Sequence, residues 1–95
     1  RRIEAARAVQ ARRFSSHRLK ITTNAEMSSR QIEELANLSP DAEKFLGTLD
    51  RTRLSPRGYY RLLKTARTIA DLEEKEKISA EYLAEAFSYR LREEV

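Results

Sequence analysis

Both prolines of this 95-residue chain directly follow a serine, at Ser39-Pro40 and Ser55-Pro56. Serine is preferred at the N-cap of an α-helix, and proline is favoured at the first helical position, where its missing N–H is not needed. The two pairs therefore predict two helix starts. The chain has only two glycines, so the glycine-dependent turns that join β-strands are scarce. Alanine, leucine, arginine and glutamate dominate the composition, which predicts an all-helical fold.

Hydrophobic periodicity divides the chain into a compact bundle of about five helices, within a single domain that covers residues 1–95. The helices are expected at 1–14, at 29–38, from Pro40, from Pro56 to about Glu74, and after Ser79. Ser28 and Gln31 have the spacing of a capping box before the second helix. The polar stretch 15–27 is predicted to be a loop. The residues expected to face the core are Ile3, Ala6, Gln10, Phe14, Ile32, Leu35, Ala36, Ala42, Phe45, Leu46, Leu49, Tyr59, Leu62, Leu63, Ala66, Ile69, Ala70, Tyr82, Leu83, Ala86 and Phe87.

Several classes of protein are excluded by composition. The chain holds no cysteine, which rules out a disulfide framework and a thiolate metal site. No apolar run approaches the roughly 20 residues that a membrane span needs, and no signal peptide is visible. We therefore expect a soluble, cytoplasmic protein with no membrane partner. The chain begins with Arg1 and lacks an initiator methionine, so we expect it to be a domain excised from a larger protein.

The basic residues are unevenly distributed. Residues 1–20 hold seven basic side chains against Glu4 alone, and residues 51–67 hold six and no acid. Two basic blocks in a chain of net charge +4 suggest a phosphate-bearing partner, either a nucleotide or a nucleic acid. The alternative is a solvated surface balanced by neighbouring acids.

The fourth helix concentrates its cations on one side. At about 100° per residue, Arg57, Arg61, Lys64 and Thr68 form a stripe opposite the apolar face. Arg57 lies in the first turn, where the helix dipole favours anions, and it is followed by Gly58, which weakens a helix. An anion held beside this turn would interact favourably with both the dipole and the guanidinium. Arg57 is therefore a candidate anion-binding residue, and Gly58 could permit the close approach of another segment.

The remaining polar residues point to structural roles. His17 is the only histidine and has no cysteine partner, so it is expected to be an exposed loop residue and no metal site is predicted. Arg67 precedes Asp71 by four residues, which favours an ion pair within the helix. Glu85 and Arg90 are expected to pair for structural reasons. No set of side chains has a credible catalytic arrangement.

Three segments carry a family resemblance: "RRIEAARAVQARRF", "LSPRGYYRLLKTARTIADLE" and "ISAEYLAEAFSYR". Together with Asn24-Ala25, they resemble the C-terminal helical lid domain of Mg-chelatase-related AAA+ ATPases, in particular the ComM/YifB-type, competence-associated branch. The resemblance covers essentially the whole chain. It is specific between Ser55 and Glu73 and in "EAFSYR", and it is weak across 27–50.

The resemblance implies a role for Arg57. The family's lid carries a sensor 2 arginine in a Ser-x-Arg-Gly pattern, which is Ser55-Pro56-Arg57-Gly58 here; proline replaces the usual alanine or glycine. Arg57 would then contact a phosphate of the ATP bound by its own subunit or by the neighbouring one, a choice that the sequence leaves open. Arg61, on the same stripe, is a weaker candidate for the same nucleotide. The intact parent would bind ATP and Mg²⁺ through an upstream AAA+ core and would assemble with neighbouring subunits in a ring. The branch implies an ATP-driven motor that remodels DNA, with no metal insertion into a porphyrin.

The chain by itself is not expected to hydrolyse ATP. It contains no GxxxxGK[ST] phosphate loop and no apolar strand ending in paired acids that could hold Mg²⁺. Those parts are expected upstream, in the parent ATPase. The alternative function is a stand-alone helical module that binds nucleic acid through its basic first helix, with the steep salt dependence of phosphate contacts.

Overall fold

The computed structural model describes residues 2–21, 23–49 and 55–93 of the chain. Within these ranges the regular elements are helical, which confirms the predicted fold class. The α-helices are α1 (Arg2–Ser16), α2 (Ser29–Leu35), α3 (Pro40–Thr48), α4 (Pro56–Leu72) and α5 (Ala80–Glu93), and a short 3₁₀ helix spans Asn24–Glu26. No described helix combines the length and apolar character needed to cross a membrane.

The predicted helix starts are confirmed at their caps. The Ser55 hydroxyl accepts the Gly58 N–H at 3.1 Å at the start of α4, and the Ser39 hydroxyl accepts the Ala42 N–H at 3.3 Å at the start of α3. A capping box precedes α2. Its serine, Ser28, accepts the N–H of the glutamine three residues later at 3.2 Å, and the glutamine side chain accepts the Ser28 N–H at 2.9 Å.

The ends of the helices differ from the sequence-based boundaries. The second helix was expected to reach Leu38, but α2 ends at Leu35 because Asn37 adopts a left-handed conformation with φ 55°. Asparagine is one of the few residues that tolerate this conformation. Leu38 then pairs with Ile78 in an isolated parallel bridge, which joins the α2–α3 and α4–α5 connections. Similarly, α4 ends at Leu72, two residues early, and is followed by Glu74 with φ 56°.

Helix α4 is the centre of the fold. It packs against α1, α2, α5 and the 3₁₀ helix, while α3 packs on α5. Leu62, Leu63, Ala66 and Ala70 are each at most 2% exposed, as their spacing predicted. Burying a leucine contributes about 1.5–3 kcal/mol, so this face is a major part of the core. The other core residues are Phe14, Met27, Ile32, Leu35, Ala36, Ala42, Leu46, Ile78, Leu83 and Ala86.

Two expectations about the N-terminal third of the chain are wrong. Ile3 was expected to face the core but is 62% exposed, because it lies at the rim of a cavity between α1 and the C-terminal end of α4. The segment 15–27 was expected to be a loop, but it contains the 3₁₀ helix, and both Asn24 and Met27 are buried at 2% exposure.

The first turn of α3 is fastened to the first turn of α5. The Asp41 carboxylate accepts the hydroxyl of the cap Ser39 and, at 3.3 Å, the N–H of Ala80. The Ser39 hydrogen bond first, and the Ala80 hydrogen bond second, lower the pKa of Asp41. A carboxylate with a lowered pKa stabilises the fold above its ordinary pKa, and this contribution is lost as the pH falls through the folded-state pKa.

We therefore predict that Asp41→Asn lowers the free energy of unfolding near neutral pH, and that this difference shrinks as the pH falls below about 4, the ordinary pKa of an aspartate, and the carboxylate takes up its proton. Thermal unfolding of both proteins across this pH range measures the difference. Glu43→Gln, which removes an exposed charge from the same turn, is the control and should change the free energy of unfolding near neutral pH by less than about 0.5 kcal/mol. If the two proteins differed in the free energy of unfolding by the same amount at every pH, the ionised Asp41 carboxylate would not be the stabilising group.

Candidate anion-binding site

The first turns of α3 and α4 differ in charge although they begin alike. Each has a serine N-cap and a proline at the start. The first turn of α3 carries Asp41 and Glu43, which suit the positive end of the dipole, whereas that of α4 carries no acid. Arg57 stands at the position equivalent to Asp41, is exposed, and forms no ion pair with a carboxylate of the described residues. The next residue, Gly58, is buried.

Arg57, Arg61 and Lys64 lie together along one groove, which we call the cationic groove. It has a volume of about 560 Å³. Its other lining residues are Met27, Ser28, Ser29, Tyr60 and Thr65. The helix thus forms one side of the groove, and the segment 27–29 forms the opposite wall. The sequence-based stripe of cations is confirmed for these three side chains.

Thr68 does not extend this groove, contrary to its position on the exposed stripe. It is half-buried, and its hydroxyl accepts the Asn24 side-chain N–H at 3.0 Å and donates to the Lys64 carbonyl at 3.0 Å. The 3₁₀ helix that carries Asn24 covers this part of α4. The stripe is therefore open to solvent only in the N-terminal half of the helix.

The C-terminal half of α4 carries a buried charge cluster instead. The Asp71 side chain is fully buried and pairs with Arg67 at 3.2 Å, which confirms the predicted ion pair. It also accepts two hydrogen bonds from Arg13, at 2.6 and 3.0 Å, and one from the Asn24 amide at 3.0 Å. Sequence reasoning missed these two partners. Asp71 consequently ties α1 and the 3₁₀ helix to α4.

Arg67 is buried and satisfies carbonyl groups at the end of α2 and in the α4–α5 connection. Its guanidinium donates to the carbonyls of Ala36 at 2.8 Å, Lys75 at 2.8 Å and Glu76 at 2.9 Å. The last carbonyls of a helix have no partner within the helix, and a cation there also interacts favourably with the dipole. Burial lowers the pKa of Arg67, whereas the Asp71 carboxylate raises it. The role of Arg67 is therefore structural.

The cations of α1 whose side chains the structure describes do not form a single surface. Arg13 is engaged with Asp71. Arg7 lines the cavity beside the 3₁₀ helix and the C-terminal end of α4, whereas Arg12 lines a different cavity, with His17. Five residues along a helix correspond to about 140° of rotation, so Arg7 and Arg12 face different directions. This arrangement does not favour a nucleic-acid interface on α1.

The structure also locates the other residues singled out in the sequence. His17 is exposed in the turn after α1, as predicted, and the described residues contain no cluster of metal-ligating side chains. Tyr59 and Tyr82 are half-buried against the core. The expected pairing of Glu85 with Arg90 lies outside the described residues, since the side chain of Arg90 is not among them.

Comparison with known proteins gives a consistent result. The sequence model of the family described as "Magnesium chelatase, subunit ChlI C-terminal" matches residues 1–90. The protein YifB of Escherichia coli is 41% identical over 90 residues, which are 94% of this chain and 17% of the relative. YifB of Salmonella typhimurium is 39% identical over 92 residues, which are 92% of this chain and 18% of the relative.

A relative with a more informative name matches a shorter stretch. "Competence protein ComM" of Haemophilus influenzae is 43% identical over 68 residues, which are 70% of this chain and 13% of that protein. The chain thus spans less than a fifth of the length of these relatives. No solved structure matches it significantly.

The charge cluster leads to a stability prediction. Asp71→Ala should lower the free energy of unfolding by about 3–5 kcal/mol, because it leaves two cations without their buried anion. Arg30→Ala is the control: Arg30 pairs with Glu34 at 3.6 Å on the exposed face of α2, and removing such a pair should cost less than about 1 kcal/mol. Urea unfolding measures both values. Similar losses in the two variants would show that Asp71 is not a stabilising centre.

Proposed function

Because the chain belongs to the magnesium chelatase subunit ChlI C-terminal family, we propose that it is the helical lid of a Mg-chelatase-like AAA+ ATPase and that Arg57 is its sensor 2 arginine. The observation that carries this proposal is the position of Arg57. It lies exposed in the first turn of α4, where an acid would be expected, at one end of the cationic groove. The same residue is the arginine of the Ser-x-Arg-Gly pattern through which the chain resembles the family.

The geometry suits a phosphate group. A cation in the first turn of a helix costs a few tenths of a kcal/mol at most sites. A phosphate beside that turn removes this cost, since it is attracted by the dipole and can accept two parallel hydrogen bonds from a guanidinium. Arg57 is therefore suited to hold an anion that comes from outside this chain, in the present proposal a phosphate of ATP.

Arg61 is the second residue that we propose to contact the nucleotide, more weakly than Arg57. It lies one helical turn further along the same groove, about 6 Å along the axis. Arginine side chains are long enough for both guanidinium groups to approach one phosphate from adjacent turns. ATP and Mg²⁺ would be held by an AAA+ core in the same polypeptide, and Mg²⁺ would neutralise phosphate charge there.

The lid position gives Arg57 a coupling role. The charge near its guanidinium changes when the terminal phosphate is lost, so the position of α4 relative to the core can depend on nucleotide state. In a ring of neighbouring subunits, such a shift also changes subunit contacts. We propose that the domain couples nucleotide state to subunit arrangement in this way.

We predict that Arg57→Ala, made in the full-length protein, lowers ATP turnover by about 100-fold, as removal of one charge-stabilising donor does elsewhere. The free energy of unfolding should change by less than about 0.5 kcal/mol, because the side chain is exposed. Arg12→Ala, which removes an exposed cation from α1, is the control and should retain wild-type turnover. Near-normal turnover in Arg57→Ala would remove this residue from the mechanism.

We further propose that the parent protein is an ATP-driven motor that remodels DNA. This rests on the ComM/YifB-type resemblance and on the name of the Haemophilus influenzae relative, which is a competence protein. Arg7 and Arg12, exposed cations of α1, face different directions, so the proposal does not place the DNA contact on that helix.

If the motor acts on DNA, ATP turnover by the full-length protein should rise several-fold when single-stranded, double-stranded or branched DNA is added. Arg12→Ala should leave this stimulation unchanged, because α1 is not the proposed contact. A steady-state ATPase assay over a series of salt concentrations separates specific stimulation from simple charge attraction. Stimulation by a porphyrin with Mg²⁺, and by none of the DNAs, would instead indicate metal insertion.

A further inference from the structure

We infer that Asp71 is a positioning residue for the cationic groove: through Arg13 and Asn24 it holds α1 and the 3₁₀ helix against α4 and so fixes the wall opposite Arg57. This inference rests on the function proposed above for Arg57. Asp71 lies 14 positions after Arg57 in the same helix, or about 21 Å along its axis. It therefore cannot act on Arg57 by direct contact.

Both carboxylate oxygens of Asp71 have partners. Oδ1 accepts from Arg13 at 2.6 Å and lies 3.2 Å from the Arg67 guanidinium, and Oδ2 accepts from Arg13 at 3.0 Å and from Asn24 at 3.0 Å. Arg13 belongs to α1 and Asn24 to the 3₁₀ helix. One carboxylate thus determines where two other elements lie against α4.

A short path leads from Asn24 to the groove. The Asn24 amide bridges Asp71 and Thr68, and the Asn24 carbonyl accepts the N–H of Met27 at 3.1 Å. Met27 is 2% exposed, and it forms the groove wall together with the cap Ser28 that begins α2. A displacement of Asn24 is therefore passed through Met27 to the wall that faces Arg57.

The two arginines of the cluster are expected to respond differently to the loss of Asp71. Arg67 keeps three carbonyl partners without Asp71, and its side chain is only 1% exposed. Arg13 has a 13% exposed side chain and a further bond only to the Asn24 side-chain oxygen, at 3.2 Å. When the anion is removed, Arg13 is the cation that can move towards water. Loosening is therefore expected in α1 and the 3₁₀ helix, while the contacts made by Arg67 persist.

The test uses Asp71→Asn in the full-length ATPase, since asparagine keeps the shape of the side chain and removes its charge. We expect ATP turnover to fall about tenfold or more, because a misplacement of about 1 Å can cost about 100-fold. In an Arg57→Ala background the same substitution should cause no further fall. A residue that acts only on global stability would lower turnover in both backgrounds.

Hydrogen exchange supplies a readout that is independent of activity. Amides at 9–16 and 23–28 should exchange faster in Asp71→Asn, whereas those at 80–88 in α5 should be unchanged, because local openings differ between parts of a fold. Asn24→Ala, which leaves all three charges of the cluster in place, should reproduce the faster exchange at 23–28 and the fall in turnover. This second variant keeps the test decisive if Asp71→Asn folds poorly.

Asp41→Asn is the matched control. It makes the same chemical change at a carboxylate that joins two other helices, α3 and α5, and that does not line the groove. Its turnover per folded molecule should equal that of the wild type.

The possible results separate the two proposals. Normal turnover in Arg57→Ala overturns the proposed function, and this inference with it. A large loss in Arg57→Ala, combined with normal turnover in both Asp71→Asn and Asn24→Ala, overturns the inference alone. Equal losses caused by Asp71→Asn in both backgrounds, or faster exchange throughout α5, would also overturn it by showing a purely structural role.

Discussion

The Asp71 carboxylate is the interaction on which the arrangement of this domain depends. It is fully buried and is shared by Arg13, Arg67 and Asn24, which come from α1, α4 and the 3₁₀ helix. Burying a charge is costly unless it is paired and hydrogen-bonded, and here each oxygen has partners. The cluster holds two cations and one anion. Its excess positive charge is offset by the three backbone carbonyls that accept hydrogen bonds from Arg67. The cluster therefore joins helix packing and helix ends in one network.

Helix α4 uses two arginines in opposite ways. Arg67 lies near the C-terminal end, where the dipole favours a cation, and all its partners come from within the chain. Arg57 lies at the N-terminal end, where the dipole disfavours a cation, and no described carboxylate pairs with it. The first is explained by folding alone. The second agrees with the proposal that an anion from outside the chain binds beside it.

Features that depend on residues close together in the sequence could be predicted from it, whereas those that depend on distant residues could not. The serine caps, the apolar face of α4 and the Arg67–Asp71 pair depend on residues at most four positions apart, and they were predicted correctly. The partners Arg13 and Asn24 lie 58 and 47 positions from Asp71, and helical periodicity carries no information about such pairs. Thr68 was placed on the exposed face for the same reason, since nothing local indicates that Asn24 covers it. The early end of α2 could have been suspected from Asn37.

The two serine–proline helices provide an internal comparison that bears on function. The cap and the proline are the same in both, so the local requirements for starting a helix are the same. In α3 the next residues include Asp41 and Glu43, which agree with the dipole; in α4 they are Arg57 and Gly58, which both weaken a helix. The long apolar face of α4 can compensate for this loss, because packing contributes more to a helix than local propensity does. A departure from local stability at a buried glycine and an exposed arginine, beside a groove lined by two further cations, supports the proposal that an external phosphate binds there.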